Sequence, residues 1–282
     1  MRPVKVFSDS TSDLSDEIIK QHNIGIIPLY VNFDQQSYKD GVDINPAELF
    51  RKVEETGTLP KTSAPTIRDF TTEFSKYIDE GMDVVHISIS SMISASYQNA
   101  CAAAAELPEG RVKVIDSLNL SCGIGLLAMT AAECVESGMS LSDTENAVHS
   151  AIAKVRSEFV IDTLEYLHKG GRCSGLQMLL SSVLEIHPVI AVNNGSMHVA
   201  AKIRGNRKVV LRGLVNGAVD NPDRLDPKIM IVNNCVCADD AAHVKTKFEG
   251  MNIFKQVSLA NAGCVIASHC GPKTLGLFYF EK

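Results

Sequence analysis

Val4-Lys5-Val6-Phe7-Ser8-Asp9-Ser10-Thr11-Ser12-Asp13 reads as a short strand, Val4–Ser8, running into a loop rich in hydroxyl and carboxylate groups. Ser15 follows as a helix N-cap, with Asp16 and Glu17 in the first turn, where the helix dipole favours negative charge. The same order of strand, polar loop and helix continues outward from this stretch. Ile24–Val31 is expected to be a strand, Ala47–Thr56 and Thr66–Glu80 helices, the second ended by Gly81, and Asp83–Ser88 a buried strand. An alanine-rich helix, Gln98–Leu107, precedes the strand Val112–Asp116, and a long helix runs to Ser137. Ser140 and Asp143 approximate a capping box for the next helix. Such alternation predicts a parallel sheet with helices on both faces, a three-layer α/β domain over residues 1–155.

After about residue 155 the pattern changes. Strand-like Glu158–Asp162 leads to a helix, then to Gly170-Gly171-Arg172 and a short amphipathic helix. Val189–Val192 and His198–Ile203 flank the turn Asn193-Asn194-Gly195-Ser196, a clear hairpin signal. A helix (Arg207–Val219), a strand (Lys228–Asn233), a helix (Ala238–Gly250) and strands near Gln256–Ala260 and Gly276–Phe280 complete the chain. Hairpins mixed with helices predict a smaller, mixed α+β domain over residues 156–282. No Pro/Gly/Ser-rich linker separates the two, so they are expected to pack tightly.

Composition narrows the function classes. The 282 residues are 45% hydrophobic and 21% charged, an ordinary balance for a globular protein. A net charge of −6 argues against nucleic-acid binding, which demands a basic face. No apolar run approaches the roughly 20 residues that cross a bilayer, and Met1 to Phe7 does not resemble a secretory signal. A cytoplasmic protein without stable membrane insertion is the expectation. The eight cysteines lie within apolar or helical stretches and read as buried free thiols rather than disulfides.

Three hydroxyl-rich segments fall at strand or helix ends, where ligands of open parallel sheets bind. They are Asp9-Ser10-Thr11-Ser12, Thr62-Ser63-Ala64-Pro65 before Thr66, and Ser88-Ile89-Ser90-Ser91-Met92-Ile93-Ser94. Each alone reads as ordinary capping; together they point to an anion site, because hydroxyls and free backbone N–H groups favour negative charge. His269, in His269-Cys270-Gly271-Pro272-Lys273-Thr274, either donates to that anion or is a satisfied structural residue. Gly171-Arg172 likewise holds an anion or starts a helix.

Familiar enzyme signals fail. Gly123-Ile124-Gly125-Leu126-Leu127-Ala128 matches a dinucleotide fingerprint in letters only and reads as helix packing. There is no Walker A sequence and no nucleophile elbow. Cys235-Val236-Cys237 lacks zinc spacing, and Asp40-Gly41-Val42-Asp43 is short of a calcium loop. Neither a metal nor a cofactor is expected.

The chain resembles the DegV family of bacterial fatty-acid-binding proteins along nearly its whole length. The segments that carry the likeness are Phe7-Ser8-Asp9-Ser10-Thr11-Ser12-Asp13-Leu14, Lys61-Thr62-Ser63-Ala64-Pro65 and Ser90-Ser91-Met92-Ile93-Ser94-Ala95-Ser96-Tyr97. Val114-Ile115-Asp116-Ser117, Tyr166-Leu167-His168-Lys169-Gly170-Gly171-Arg172, His187-Pro188-Val189-Ile190, Lys202-Ile203-Arg204-Gly205 and His269-Cys270-Gly271-Pro272 follow in order. The resemblance implies two α/β domains, the first carrying most head-group loops and the second completing a pocket for one long-chain fatty acid, such as palmitate. It implies head-group roles for Thr62, Ser94 and His269, with Ser63 and Gly271 adjacent, Arg172 near the mouth and Arg204 in partner contact. It also implies a separate ATP-dependent fatty acid kinase that phosphorylates the presented carboxylate. The chain departs from the family pattern at Ala64, where glutamine is usual, at Ala95-Ser96, usually Gly-Thr, and at Lys273, usually glycine.

Two other readings compete. One is a hydrolase or phosphotransferase acting on an acyl substrate with Ser94 and His269, oriented by Asp9 or Asp116, which requires a Ser–His hydrogen bond backed by a third group. The other is a regulatory protein acting through protein contact alone.

Overall fold

A computed structural model of the protein describes residues 2–34, 36–173 and 186–282. The first half runs β1 (Val4–Asp9), α1 (Asp16–Gln21), β2 (Gly25–Ile27), β3 (Tyr30–Phe33), β4 (Gln36–Lys39), α2 (Pro46–Thr56) and β5 (Lys61–Ser63). It continues with α3 (Ile67–Asp79), β6 (Asp83–Ser88), α4 (Ser96–Ala105), β7 (Val112–Asp116), α5 (Cys122–Glu136) and α6 (Leu141–Ile152). The second half runs β8 (Val155–Val160), α7 (Glu165–Gly170), β9 (Ile186–Asn193), β10 (Ser196–Arg204), α8 (Arg207–Ala218) and β11 (Leu225–Asn234). It ends with α9 (Ala238–Met251), β12 (Gln256–Asn261), α10 (Cys264–Cys270) and β13 (Leu275–Glu281). The amphipathic helix expected after Gly170-Gly171-Arg172 lies outside the described residues.

The fold is mixed α/β, with a parallel sheet ordered β2-β1-β6-β7 and a mixed sheet ordered β10-β9-β8-β13-β11-β12. Period-2 alternation within single strands explains the layering. Val4 and Val6 face α5 and α6, while Phe7 faces Phe70 and Phe74 of α3. In the second sheet Ile229, Ile231, Phe278 and Phe280 join the α5 side, whereas Met230, Val232, Leu277 and Tyr279 pack on α8 and α9. Both faces of these strands are buried, hence the unbroken apolar run Leu275–Phe280. α5 is buried between the two sheets and touches β1, β6, β8 and β13. Gly123 and Gly125 permit that fit: added Cβ atoms would strike Asn119 and Ser157, and the Ser12 carbonyl and Leu14.

The expected strand Ile24–Val31 is two strands. Pro28 lacks an N–H and breaks the ladder, so β2 stays in the parallel sheet while β3 turns into a third sheet, β4-β3-β5, all antiparallel. Strand β5 carries Thr62, which the sequence alone places in a loop. Cys122, Cys235, Cys264 and Cys270 are buried free thiols.

The hairpin β9–β10 turns through Asn194 (φ 47°) and Gly195 (φ 81°), flanked by the Asn193–Ser196 pair. Positive φ at both central residues matches the right-handed twist of the strands. Its tip docks on the first half of the chain: Ser90 Oγ donates to Gly195 O at 2.8 Å. A Cβ on Gly195 would stand 2.6 Å from that same Oγ. Gly195→Ala is therefore expected to cost at least about 1 kcal/mol, from the left-handed backbone plus the collision; urea midpoints of the two proteins measure it, and equal midpoints would contradict this packing.

Candidate functional site

A cavity of about 460 Å³ is lined by two of the three hydroxyl-rich segments, Thr62–Ala64 and Ile89–Ser94; Asp9-Ser10-Thr11-Ser12 does not line it. Its walls are mostly apolar, with Ile89 and Leu120 from the first half and Phe159, Met197 and Phe278 from the second. Polar side chains interrupt these walls: Thr62 and Ser63 (β5), Ser91 and Ser94 (the β6–α4 loop), His269 (α10) and Arg172, and also Ser121, Asn233 and Asn234. Such a lining takes a molecule with a long apolar body and a polar group.

Each polar group is held from behind. Asp9 Oδ2 accepts from Ile89 N at 2.7 Å and Ser88 Oγ at 3.0 Å, and Asp116 Oδ1 accepts from Ser91 N at 3.2 Å. These carboxylates, on β1 and β7, fix the loop that follows β6. Ser94 Oγ lies 2.9 Å from Ser96 Oγ and accepts from Ser96 N at 3.2 Å, at the start of α4. Asn99 of α4 donates to Pro65 O at 2.7 Å, which ties this helix to the Thr62–Pro65 segment. The helix after that segment begins with a full capping box between Thr66 and Asp69.

His269 stands in the last turn of α10, a helix between β12 and β13 that the sequence alone does not reveal. Two buried carboxylates hold its first turn: Gly263 N donates to Asp13 Oδ1 at 2.8 Å and Cys264 N to Asp40 Oδ1 at 2.7 Å. Asp13 Oδ2 also accepts from Ser121 Oγ at 2.5 Å and Asn233 Nδ2 at 2.9 Å. At the other end of the helix His269 Nε2 lies 2.8 Å from Thr62 Oγ1. Burial and the nearby Arg172 charge push its pKa down to about 4, so the ring is neutral at neutral pH. The charge that a protonated histidine would bring is therefore missing from the resting site.

Gly271 and Arg204 are not among the residues lining the cavity. Gly271 ends α10 with φ 76°, and a Cβ there would strike the Tyr166 ring at 2.7 Å. Arg204 ends β10 and is exposed. Arg172 Nη1 donates to Gly170 O at 2.6 Å. The pairing that a Ser94–His269 hydrolase requires is not formed: His269 is bonded to Thr62, and its Nδ1 has no hydrogen-bond partner among the described residues. Asp9 and Asp116 are committed to backbone N–H groups of the loops.

A family model described as "Uncharacterised protein, DegV family" matches residues 3–282. The chain belongs to the DegV family. It is 35% identical over 283 residues to a DegV domain-containing protein of Clostridium perfringens, covering 100% of both chains. A DegV family protein from Thermus thermophilus, described by its fatty acid binding, superposes with a TM-score of 0.93 at 30% identity, covering 100% of each chain. A stearic-acid-binding protein from Eubacterium ventriosum superposes with a TM-score of 0.87 at 27% identity, covering 100% of this chain and 99% of that one. Both of these proteins of known structure bind fatty acids. Of the positions where this DegV chain departs from the usual pattern, Ala64 and Ala95 line the cavity. Lys273 does not; its Nζ lies 3.9 Å from Asp162, and its φ of 59° accounts for the usual glycine.

The sequence analysis gives no part in the site to Asp13 and Asp40, which stand behind it, or to Asn233, which lines the cavity and donates to Asp13. Burial, with the Asp40 charge adding to it, pushes the Asp13 carboxyl from 3.8 up to about 7 against the hydrogen bonds from Ser121, Gly263 and Asn233. A carboxyl raised on folding keeps a proton that the unfolded chain has already released. Asp13's contribution to stability is therefore greatest at acid pH and falls as pH rises from about 4 through about 7. The stability of the protein relative to Asp13→Asn is expected to decline by roughly 1–4 kcal/mol between about pH 5 and pH 8. Denaturant titrations of both proteins at the two pH values measure this, and a constant difference would contradict it.

Proposed function

We propose that this chain binds a single long-chain fatty acid, such as palmitate, with its tail in the apolar cavity and its carboxylate at Thr62, Ser94 and His269. The observation that carries this reading is a mostly apolar cavity that Thr62, Ser94 and His269 all line, with Thr62 and His269 in hydrogen-bond contact. The fatty-acid-binding DegV proteins of similar fold support it. Ser63 and Gly271 flank the head-group residues, and Arg172 draws the anion to the mouth. Residues 1–155 form one domain, which carries most of the head-group loops, and residues 156–282 a second, which completes the pocket.

The energetics suit a tail-driven ligand. Roughly fourteen buried methylenes contribute at most about 11 kcal/mol, at about 0.8 kcal/mol each. Association and ordering of the tail remove much of this. A bare carboxylate in such surroundings costs several kcal/mol, which is why several donors must meet it. The tail sets affinity and the donors set orientation. The carboxylate held this way is presented to a separate ATP-dependent fatty acid kinase, which carries out the acyl-phosphate step, with Arg204 on the exposed end of β10 a contact for it. In this reading the chain needs no cofactor and acts in the cytoplasm; among the described residues no helix is long and apolar enough to cross a membrane.

Ser94→Ala and His269→Ala are each expected to weaken palmitate binding about tenfold or more, the first by removing a hydrogen bond to the charged group and the second by releasing the Thr62 hydroxyl that His269 holds. Binding of hexadecanol, which has the same tail and no charge, falls much less. Equal losses for acid and alcohol, read by competition titration, would remove the head-group assignment.

A further inference from the structure

The direction of one hydrogen bond decides what the polar side chains of the cavity offer a ligand. His269 Nε2 and Thr62 Oγ1 lie 2.8 Å apart, and either can donate. The other ring nitrogen settles the matter. His269 Nδ1 is buried with no hydrogen-bond partner among the described residues. Gly170 packs against it so closely that a Cβ on that residue would stand 2.5 Å away. A neutral imidazole carries one N–H, and burial and the Arg172 charge keep this ring neutral. Were the proton on Nδ1, a strong donor would point at the Gly170 methylene with nothing to accept it. With the proton on Nε2, the bare Nδ1 lone pair meets a C–H group, a weakly favourable contact. The N–H then goes to Thr62 Oγ1, and the threonine's own hydrogen is left for an acceptor in the cavity.

We propose that Gly170 and His269 are positioning residues that fix the Thr62 hydroxyl as a hydrogen-bond donor into the cavity, so that the cavity selects an ionised carboxylate over a head group that can only donate, such as an ammonium. This deepens the fatty-acid reading and rests on it for the ligand, but the tautomer itself is a property of the protein alone. Gly170 is required because any larger residue displaces the ring from the Thr62 bond. Thr62 sits on β5, paired with Val31 of β3, so the hydroxyl projects from a fixed strand rather than a free loop.

The test begins with protein stripped of lipid and labelled with 15N-histidine, with His269 assigned by comparison with His269→Gln. Long-range proton–nitrogen correlation is expected to show a neutral ring protonated at Nε2. A ring protonated at Nδ1, or one averaging between the two forms, would overturn the proposal whether or not a fatty acid binds. Binding is read separately: Thr62→Val is expected to weaken palmitate about tenfold or more and Thr62→Ser to stay within about threefold. Hexadecylamine should bind far more weakly than palmitate to the native protein. Equal affinity for acid and amine, together with the Nε2 tautomer, would overturn the selectivity and leave the cavity as a tail site only. Gly170→Ala should shift the His269 ring signals and weaken palmitate to a similar degree; unchanged signals and affinity would remove Gly170 from the mechanism. If that variant does not fold, the native tautomer and the two Thr62 variants decide.

Discussion

Asp13 accepts hydrogen bonds from Ser121 at the start of α5, from Asn233 near the end of β11 and from Gly263 at the start of α10. It follows the first strand, yet its partners lie more than a hundred residues away in sequence, at the seam between the two sheets. An ionised carboxylate there is desolvated, and three donors only partly offset the cost, as its raised pKa records. Asp40 does the same for Cys264 from the other side, and its carboxyl too is raised by burial. The short helix between β12 and β13 is thus built on two buried carboxylates at its first turn, and its last turn holds the histidine. The position of His269 in the cavity depends on charges at the opposite end of that helix.

Around this seam the rest of the molecule is ordinary close packing. α5, with no polar face toward either sheet, lets one continuous core run from Val6 and Ile87 through Leu127 to Phe159, Ile231 and Phe278. A cavity in the middle of such a core is costly when empty, since its lining loses contacts on one side. A long apolar tail restores them. The head-group side chains are held from behind: the loop after β6 by Asp9, Asp116 and the Gly195 hairpin tip, Thr62 by the third sheet, and the His269 ring by Gly170. Preorganised donors of this kind orient a head group without ordering loops at the moment of binding.

Local chemistry was legible in the sequence wherever it acts over a few residues. The N-caps at Ser15, Thr66 and Ser140, the Asn194-Gly195 turn and the alternating strands of the parallel sheet all follow from neighbouring side chains. What escaped was set by distant partners. β4 and β5 are short and polar, and only each other's company with β3 makes them strands. α10 contains Val265 and Ile266, which favour strands; its helix comes from the carboxylates behind it. Thr62, Ser94 and His269 stand out as candidates by residue type and by family resemblance. The bond between Thr62 and His269 spans 207 positions and is invisible before folding. Asp13 hid in a segment that reads as a simple polar turn.

A cavity that holds the acyl tail of one fatty acid should carry it through purification. The mass of the intact protein, purified from a bacterial host and measured under native conditions, is expected to exceed that of the chain by one long-chain fatty acid, lost on denaturation. A clean protein mass that persists after palmitate is added would contradict this.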